Sequence, residues 1–330
     1  MKKSLRSIFP PSAQAFHSET SQIIELEKEN SEKIKLLEKK IEQQQQQLQQ
    51  MQSILISSQE VLRSCHQSFD KLTCSATENL NKAELLDKTI ELQQQQLQQI
   101  KQQSILSTRA AEEAVWAAIF NNTIVNSTWL KDKTFSPGRW AMGYPALYAI
   151  YRILNEIRPK RILELGLGQS TRMIGQYARA FNDVEHFVVE HDPAWIEFFK
   201  NDFVLSERSS IVQLDREMVQ YKEAEQVRVF KDFKNQFDGQ KFDFICIDAP
   251  LGGDMKQYAR IDILGLLPGC LAKDFVIAVD DCERIGETHT IEEMEKIFKK
   301  TSILFKKGKY KGQKDFSTIC SNKFEFLSTM

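Results

Sequence analysis

Residues 161–171 read RILELGLGQST: a short apolar run closes on Gly166 and Gly168 and then on the hydroxyl side chains Ser170 and Thr171. The pattern predicts a buried strand turning sharply into a helix, with the two glycines letting backbone approach a ligand. Met173, Ile174, Tyr177 and Phe181 would form the inner face of that helix. A dinucleotide fingerprint needs a third glycine at the sixth place, and Thr171 stands there. Glu164, two residues before the first glycine, would repel a pyrophosphate and attract an ammonium group. The turn therefore points to a cationic, phosphate-free nucleoside ligand.

Outward from this turn, β-branched and aromatic runs recur as HFVVEH from 186, SIVQLD from 210, FDFICID from 242 and FVIAVD from 275, with helical stretches expected between them. Upstream, PALYAIYRILNEI sets Leu147, Ile150, Tyr151, Leu154 and Ile157 on one helical face behind Pro145. Strands alternating with helices predict an α/β fold with a mainly parallel sheet covered on both faces. SILFKKGKY followed by FSTICSN predicts a closing hairpin at the sheet edge. Ligands of such sheets sit beyond the carboxyl ends of the strands, and these ends carry acids. Glu190 closes the second strand and could accept bonds from both ribose hydroxyls, while Asp215 closes the third and could face an adenine.

With ELGLGQST as first motif, Glu190 as ribose acid and Asp248 in FDFICIDAP as fourth-strand acid, residues 140–330 resemble the class I S-adenosylmethionine-dependent methyltransferases. The resemblance implies a Rossmann-like sheet and a cofactor site of Glu164, Gly166, Gly168, Ser170, Thr171, Glu190, Asp215 and Asp248. Ser170 departs from the pattern, since many members carry a third glycine there. ILELGLGQST, YARIDILGLLP and VDDCERIGE also resemble bacterial methyltransferases of surface-polysaccharide and lipopolysaccharide synthesis, which implies a sugar hydroxyl as acceptor.

Asp248 ends the fourth strand and Asp280–Asp281 the fifth, so neighbouring strand ends would gather three carboxylates. Unpaired, they would repel one another at a cost of several kcal/mol, so they should hold a cation or share protons. Their oxygens suit Mg²⁺ or Mn²⁺, and the set is similar to that of metal-dependent O-methyltransferases. The alternative is that Asp280 and Asp281 only cap the strand and its turn. Asp248, His289 and Lys256 are the candidate catalytic residues, with His289 and Lys256 the candidates for a general base. Arg260 and Arg284 could contact an acidic sugar or a phosphate, and Trp140 and Tyr144 could shape the acceptor pocket. The lysines of KKTSILFKKGKYKGQK read as a solvated hairpin.

The N-terminal third has a different grammar. Residues 21–107 contain no proline or glycine and are dominated by Glu, Lys and Gln. Every seventh residue from Ile34 is apolar: Ile34, Ile41, Leu48, Leu55, Leu62, Phe69, Ala76, Ala83, Ile90, Leu97. The companion series from Leu37 is mixed, with Gln44, Ser58, Asn79 and Gln93 among its members. IEQQQQQLQQM at 41–51 recurs in phase as IELQQQQLQQI at 90–100. This predicts a left-handed coiled coil on the order of 100 Å long, a homo-oligomer of two or three chains, over a glutamine-rich disordered tract.

The expected organisation is a flexible N-terminus (1–20), the coiled coil (21–107), a helical connector (108–140) and a methyltransferase domain (141–330). A net charge of −1 gives no reason to expect nucleic acid. Six unpaired cysteines, no apolar leader in MKKSLRSIFPPSAQ and no spanning stretch point to the cytoplasm. The expected activity is O-methylation of a sugar or glycan, with the coil as a spacer toward a membrane-associated glycan assembly partner at the inner face. A small-metabolite or protein methyltransferase, or a scaffold with an inactive domain, are the alternatives.

Overall fold

The computed structural model describes residues 13–138 and 140–330, and the chain divides into two units at Gln96 and Leu97. Of the stretch expected to be flexible, residues 1–12 lie outside the described residues. One unbroken helix, α1, runs over Ala13–Ile124, as a proline- and glycine-free sequence allows. In the first unit its heptad residues Ile34, Ile41, Leu48, Leu55, Leu62, Phe69 and Ile90 are 42–69% exposed, an apolar seam left in water. Among the described residues no helix is long and apolar enough to cross a membrane.

The second unit includes the end of α1, where Phe120 and Ile124 are buried. Much of the expected connector is thus helix packed into a core. After it come α2 (Tyr144–Arg152), β1 (Arg161–Leu165), α3 (Gln169–Ala180), β2 (Glu185–Glu190), α4 (Pro193–Asp202) and β3 (Ser209–Gln213). Then follow β4 (Arg216–Tyr221), β5 (Ala224–Phe230), α5 (Phe233–Phe237), β6 (Phe242–Ile247), β7 (Leu271–Val279), α6 (Ile285–Lys300), β8 (Phe305–Tyr310) and β9 (Phe316–Ser321).

Seven strands form one open, Rossmann-like sheet in the order β3-β2-β1-β6-β7-β9-β8. The first five are parallel, and β9 runs antiparallel to both β7 and β8, so the closing hairpin lies at the edge as expected. Because strand side chains alternate, Ile162, Phe244, Cys246, Val276 and Ala278 meet α2, α3 and the end of α1 on one face. Leu163, Leu165, Ile245, Ile247 and Ile277 meet α5 and α6 on the other. The sheet order reverses between β1 and β6, which opens a crevice at their carboxyl ends.

The helices expected in two connections need correction: β6 to β7 holds only a 3₁₀ turn, Asp262–Gly265. Between β3 and β6 the chain makes a two-stranded antiparallel ribbon, β4–β5, with only the five-residue α5 as helix. The ribbon turns at Lys222, whose φ is +52°, without the Asn-Gly or Gly signal that marks a hairpin in sequence. It is tied to the core by Asp262, whose carboxylate accepts a bond from the Phe230 amide at 2.6 Å. The other Asp262 oxygen is buried with no partner, and burial pushes this carboxyl up to about 7.

A folded-state value above the unfolded one means that the stability contribution is full below about pH 4 and falls as pH rises, the loss being complete above about 7. Asp262→Asn keeps the acceptor and removes the buried charge. It should therefore raise stability by about 1–3 kcal/mol at pH 8 and by little at pH 4, measured by urea unfolding at both pH values.

Candidate functional site

The glycine turn lies where β1 ends. Gly166 has φ +105°, a left-handed conformation that favours glycine. A Cβ there would stand 3.1 Å from the Ala249 Cβ, while the Gly166 amide donates to the Val189 carbonyl at 2.9 Å. Gly168 is extended and a Cβ on it would meet nothing within 4 Å, so its backbone faces open space. Its amide donates to the Thr171 hydroxyl at 2.9 Å, which starts α3 with Ser170 and Thr171 buried.

From this turn a cleft of about 310 Å³ extends over the ends of β2, β6 and β7. Glu190, 6% exposed, forms part of its wall. One oxygen of this carboxylate accepts from the His191 and Asp192 amides at 2.6 and 3.0 Å, and the other from the Leu167 amide at 3.3 Å. Three backbone donors thus fix an anionic acceptor at the strand end. Beside it stand Trp195, Phe198 and Phe199 of α4. The Trp195 ring stacks on Phe198 at 5.3 Å and its indole N–H donates to the Leu167 carbonyl at 2.7 Å.

The far end of the cleft is a buried charge cluster. Asp248 follows β6, and Asp280 and Asp281 follow β7. One oxygen from each of the three lies within 4.8 Å of the others. Into them reaches Arg260, 2% exposed, with Nη2 at 3.1 Å from Asp248 Oδ1 and 2.6 Å from Asp281 Oδ2. Its Nη1 donates to the Asp280 carbonyl at 2.9 Å. Lys314 Nζ stands 3.2 Å from Asp281 Oδ1 and 3.6 Å from Asp280 Oδ2, and Arg284 Nη1 is 2.8 Å from Asp281 Oδ2. Arg260 and Asp281 both have positive φ, +59° and +61°, strain on the order of 1–3 kcal/mol each that the surrounding contacts must offset.

These neighbours separate the carboxyls. Burial pushes Asp248 up to about 6 against the pull of Arg260. Burial, with Asp248 and Asp281 nearby, carries Asp280 well above the usual carboxylate range. Against its burial, Arg260, Lys314 and Arg284 hold Asp281 below that range. Burial also raises Glu287, which is fully buried and 3.7 Å from Arg260 Nε. Arg260, Arg284 and Lys314 thus face a set of carboxyls in which Asp281 holds its charge most readily and Asp280 least readily.

Of the residues singled out from sequence, Trp140, Gly166, Gly168, Glu190, Asp248, Arg260, Asp281 and Arg284 line the cleft, and Asp280 lies just behind it. Others fall elsewhere. Glu164 is fully buried below the turn, with His186 Nε2 3.0 Å from its Oε2, and is not among the residues that line the cleft. Asp215 borders a separate shallow depression with His191 and Arg228. Tyr144 packs against Phe120 at 6.0 Å. Lys256 is exposed in the loop after β6, and His289 Nδ1 meets the Gln257 carbonyl at 2.7 Å; neither lines the cleft. Lys314 and the Trp195–Phe198 pair were missed; Lys314 sits among lysines that otherwise read as solvent-facing.

No protein-family model matches the sequence, and no relative among curated proteins matches it. Solved structures do resemble it. An O-methyltransferase from Bacillus cereus in complex with S-adenosylhomocysteine (SAH) is 13% identical over 66% of this chain and 100% of its own, with a TM-score of 0.40. Cofactor-bound Rv0187 from MTB is 14% identical over 64% and 89%, TM-score 0.37. The O-methyltransferase TomG from Streptomyces achromogenes, involved in tomaymycin synthesis and solved with S-adenosylmethionine, is 15% identical over 54% and 78%, TM-score 0.36. These likenesses reach no further than the fold, so what the chain does has to be read from its own site.

Gly166→Ala tests the turn. It should destabilise the domain by about 1–3 kcal/mol and close the crevice, whereas Gly168→Ala, with open space ahead of it, should leave thermal unfolding unchanged.

Proposed function

We propose that the second unit is an S-adenosylmethionine-dependent O-methyltransferase whose acceptor is a sugar hydroxyl of a bacterial surface polysaccharide. The observation that carries this reading is Glu190, a buried carboxylate fixed by three backbone donors at the carboxyl end of β2, across from the open Gly168 backbone. Such an acid accepts bonds from a vicinal ribose diol. Glu190 and Asp202 stand in the cleft wall with the rings of α4, and the Trp195 and Phe198 rings offer a purine an apolar wall. The residues present fit the cofactor, which when bound supplies an electrophilic methyl on a sulfonium.

Asp248 is the general base of this reading. With its carboxyl near 6 it is ionised at neutral pH and would take up the proton of an acceptor hydroxyl held beside it. Arg260 and Arg284 orient the acceptor and suit one carrying a carboxylate or phosphate. The Asp248, Asp280 and Asp281 oxygens are a donor set for Mg²⁺ or Mn²⁺. Arg260 Nη2 and Lys314 Nζ already stand within 3.2 Å of Asp248 and Asp281, however, and a divalent ion would have to displace both. The residues do not fit such an ion alongside these side chains, and we assign its charge-neutralising task to Arg260 and Lys314.

The α1 seam, with seven heptad positions exposed along the first unit, supports self-association into a dimer or trimer. In the same reading the coil sets a distance to a membrane-associated glycan assembly partner.

Calorimetry with SAH should show binding, and Glu190→Ala should weaken it about 10–100-fold by removing two charge-assisted bonds. Labelled methyl donor should mark nucleotide sugars or purified surface glycan, equally with and without EDTA. No SAH binding would leave a scaffold in place of an enzyme; label on peptides or small metabolites alone would replace the sugar; loss of transfer in EDTA would restore the metal. Sedimentation of the full chain should give two or three protomers, and Leu55→Asp with Leu62→Asp should give one.

A further inference from the structure

Resting on that reading, we infer that the last turns of α1 are a positioning element of the active site: Arg109, Glu113 and Trp116 fix the loop between β8 and β9 so that Lys314 reaches the Asp280–Asp281 pair.

Arg109, Glu113, Trp116, Phe120 and Ile124 recur at helical spacing on one face of α1. The last two enter the core, and the first three meet residues 311–315. The Trp116 indole N–H donates to the Lys311 carbonyl at 2.8 Å. Arg109 Nη1 donates to the carbonyls of Gly312 and Gln313 at 3.2 and 3.3 Å and lies 3.3 Å from Asp315 Oδ1. Glu113 accepts the Gln313 amide at 3.0 Å through one oxygen and the Tyr144 amide at 2.7 Å through the other. A Cβ on Gly312 would collide with the Glu113 carboxylate and come within 2.7 Å of Pro145 Cγ, so loop and helix are in close contact.

The opposite side of the loop is tied to the site. The Asp315 amide donates to Glu283 at 2.8 Å, and the Asp315 carbonyl accepts the Cys282 amide at 2.7 Å. Between these two anchors Lys314, 13% exposed, turns inward, while its neighbours Lys309 and Lys311 stay exposed. Asp281 then has a cation for each oxygen: Lys314 at Oδ1, Arg260 and Arg284 at Oδ2. Were Lys314 withdrawn, Oδ1, which is buried without a hydrogen-bond donor, would lose the cation beside it, and Arg260 would be drawn from Asp248 toward Asp281. The base would lose the guanidinium that holds it in place.

Two measurements test the inference. Mass-spectrometric mapping of acylation by an N-hydroxysuccinimide ester should show Lys314 protected in the parent and labelled about tenfold faster in Arg109→Ala and in Trp116→Phe, which keeps an aromatic side chain but loses the indole donor. Unchanged labelling overturns the clamp, whatever the chain's activity. In a double-mutant cycle of methyl transfer, Lys314→Met and Arg109→Ala should each lower kcat about tenfold with SAH affinity kept, and the pair should be no worse than Lys314→Met alone. Multiplying effects would give Arg109 only a general structural role and overturn the coupling. Absence of methyl transfer to any hydroxyl would remove the enzymatic reading while the labelling result still decides the clamp.

Discussion

The site depends on one buried guanidinium. Parallel pairing of β6 with β7 brings their ends into line, with the Asp280 amide donating to the Ile247 carbonyl at 3.0 Å. That alignment forces Asp248, Asp280 and Asp281 into mutual range, with Asp280 and Asp281 buried. Arg260, between Asp248 and Asp281, makes the arrangement tolerable. Its own left-handed backbone is a local cost, and a charge left alone in that position would cost several kcal/mol more. Removing either side of the cluster would strand the other, so geometry and chemistry are coupled there.

The second constraint is the approach of chain to chain at the glycine turn. Gly166 allows β1 and the segment after β6 to come together with the Ala249 methyl against the turn, and Gly168 leaves backbone open beside Glu190. The two halves of the cleft follow from these facts: an acceptor of hydrogen bonds on the β2 side, and a charge cluster on the β6–β7 side, bridged by the strand at which the order reverses.

Much of this was legible in sequence. The five parallel strands, the edge hairpin, the unbroken heptad series and the acids at strand ends follow from periods of two and seven and from the positions of Gly166, Gly168, Glu190 and Asp248. What escaped depends on partners far apart in the chain. The carboxylate of Glu164 is turned by strand alternation toward His186, a neighbour supplied by β2. The β4–β5 ribbon has charged outer faces and no turn residue, so it lacks the apolar run of a buried strand. Lys314 differs from the lysines around it only because α1, some two hundred residues earlier, holds its loop. His289 and Lys256 are chemically able to act as bases, but neither lines the cleft, His289 being held at the Gln257 carbonyl.

The most direct test of the account is a crystal structure of the full chain with SAH. The ribose hydroxyls should lie on the Glu190 carboxylate, backbone of the Gly166–Gly168 turn against the ligand, and the amino-acid end toward Asp248 and Arg260. A ligand bound elsewhere on the domain, or seated in the cleft with Glu190 unengaged, would contradict it.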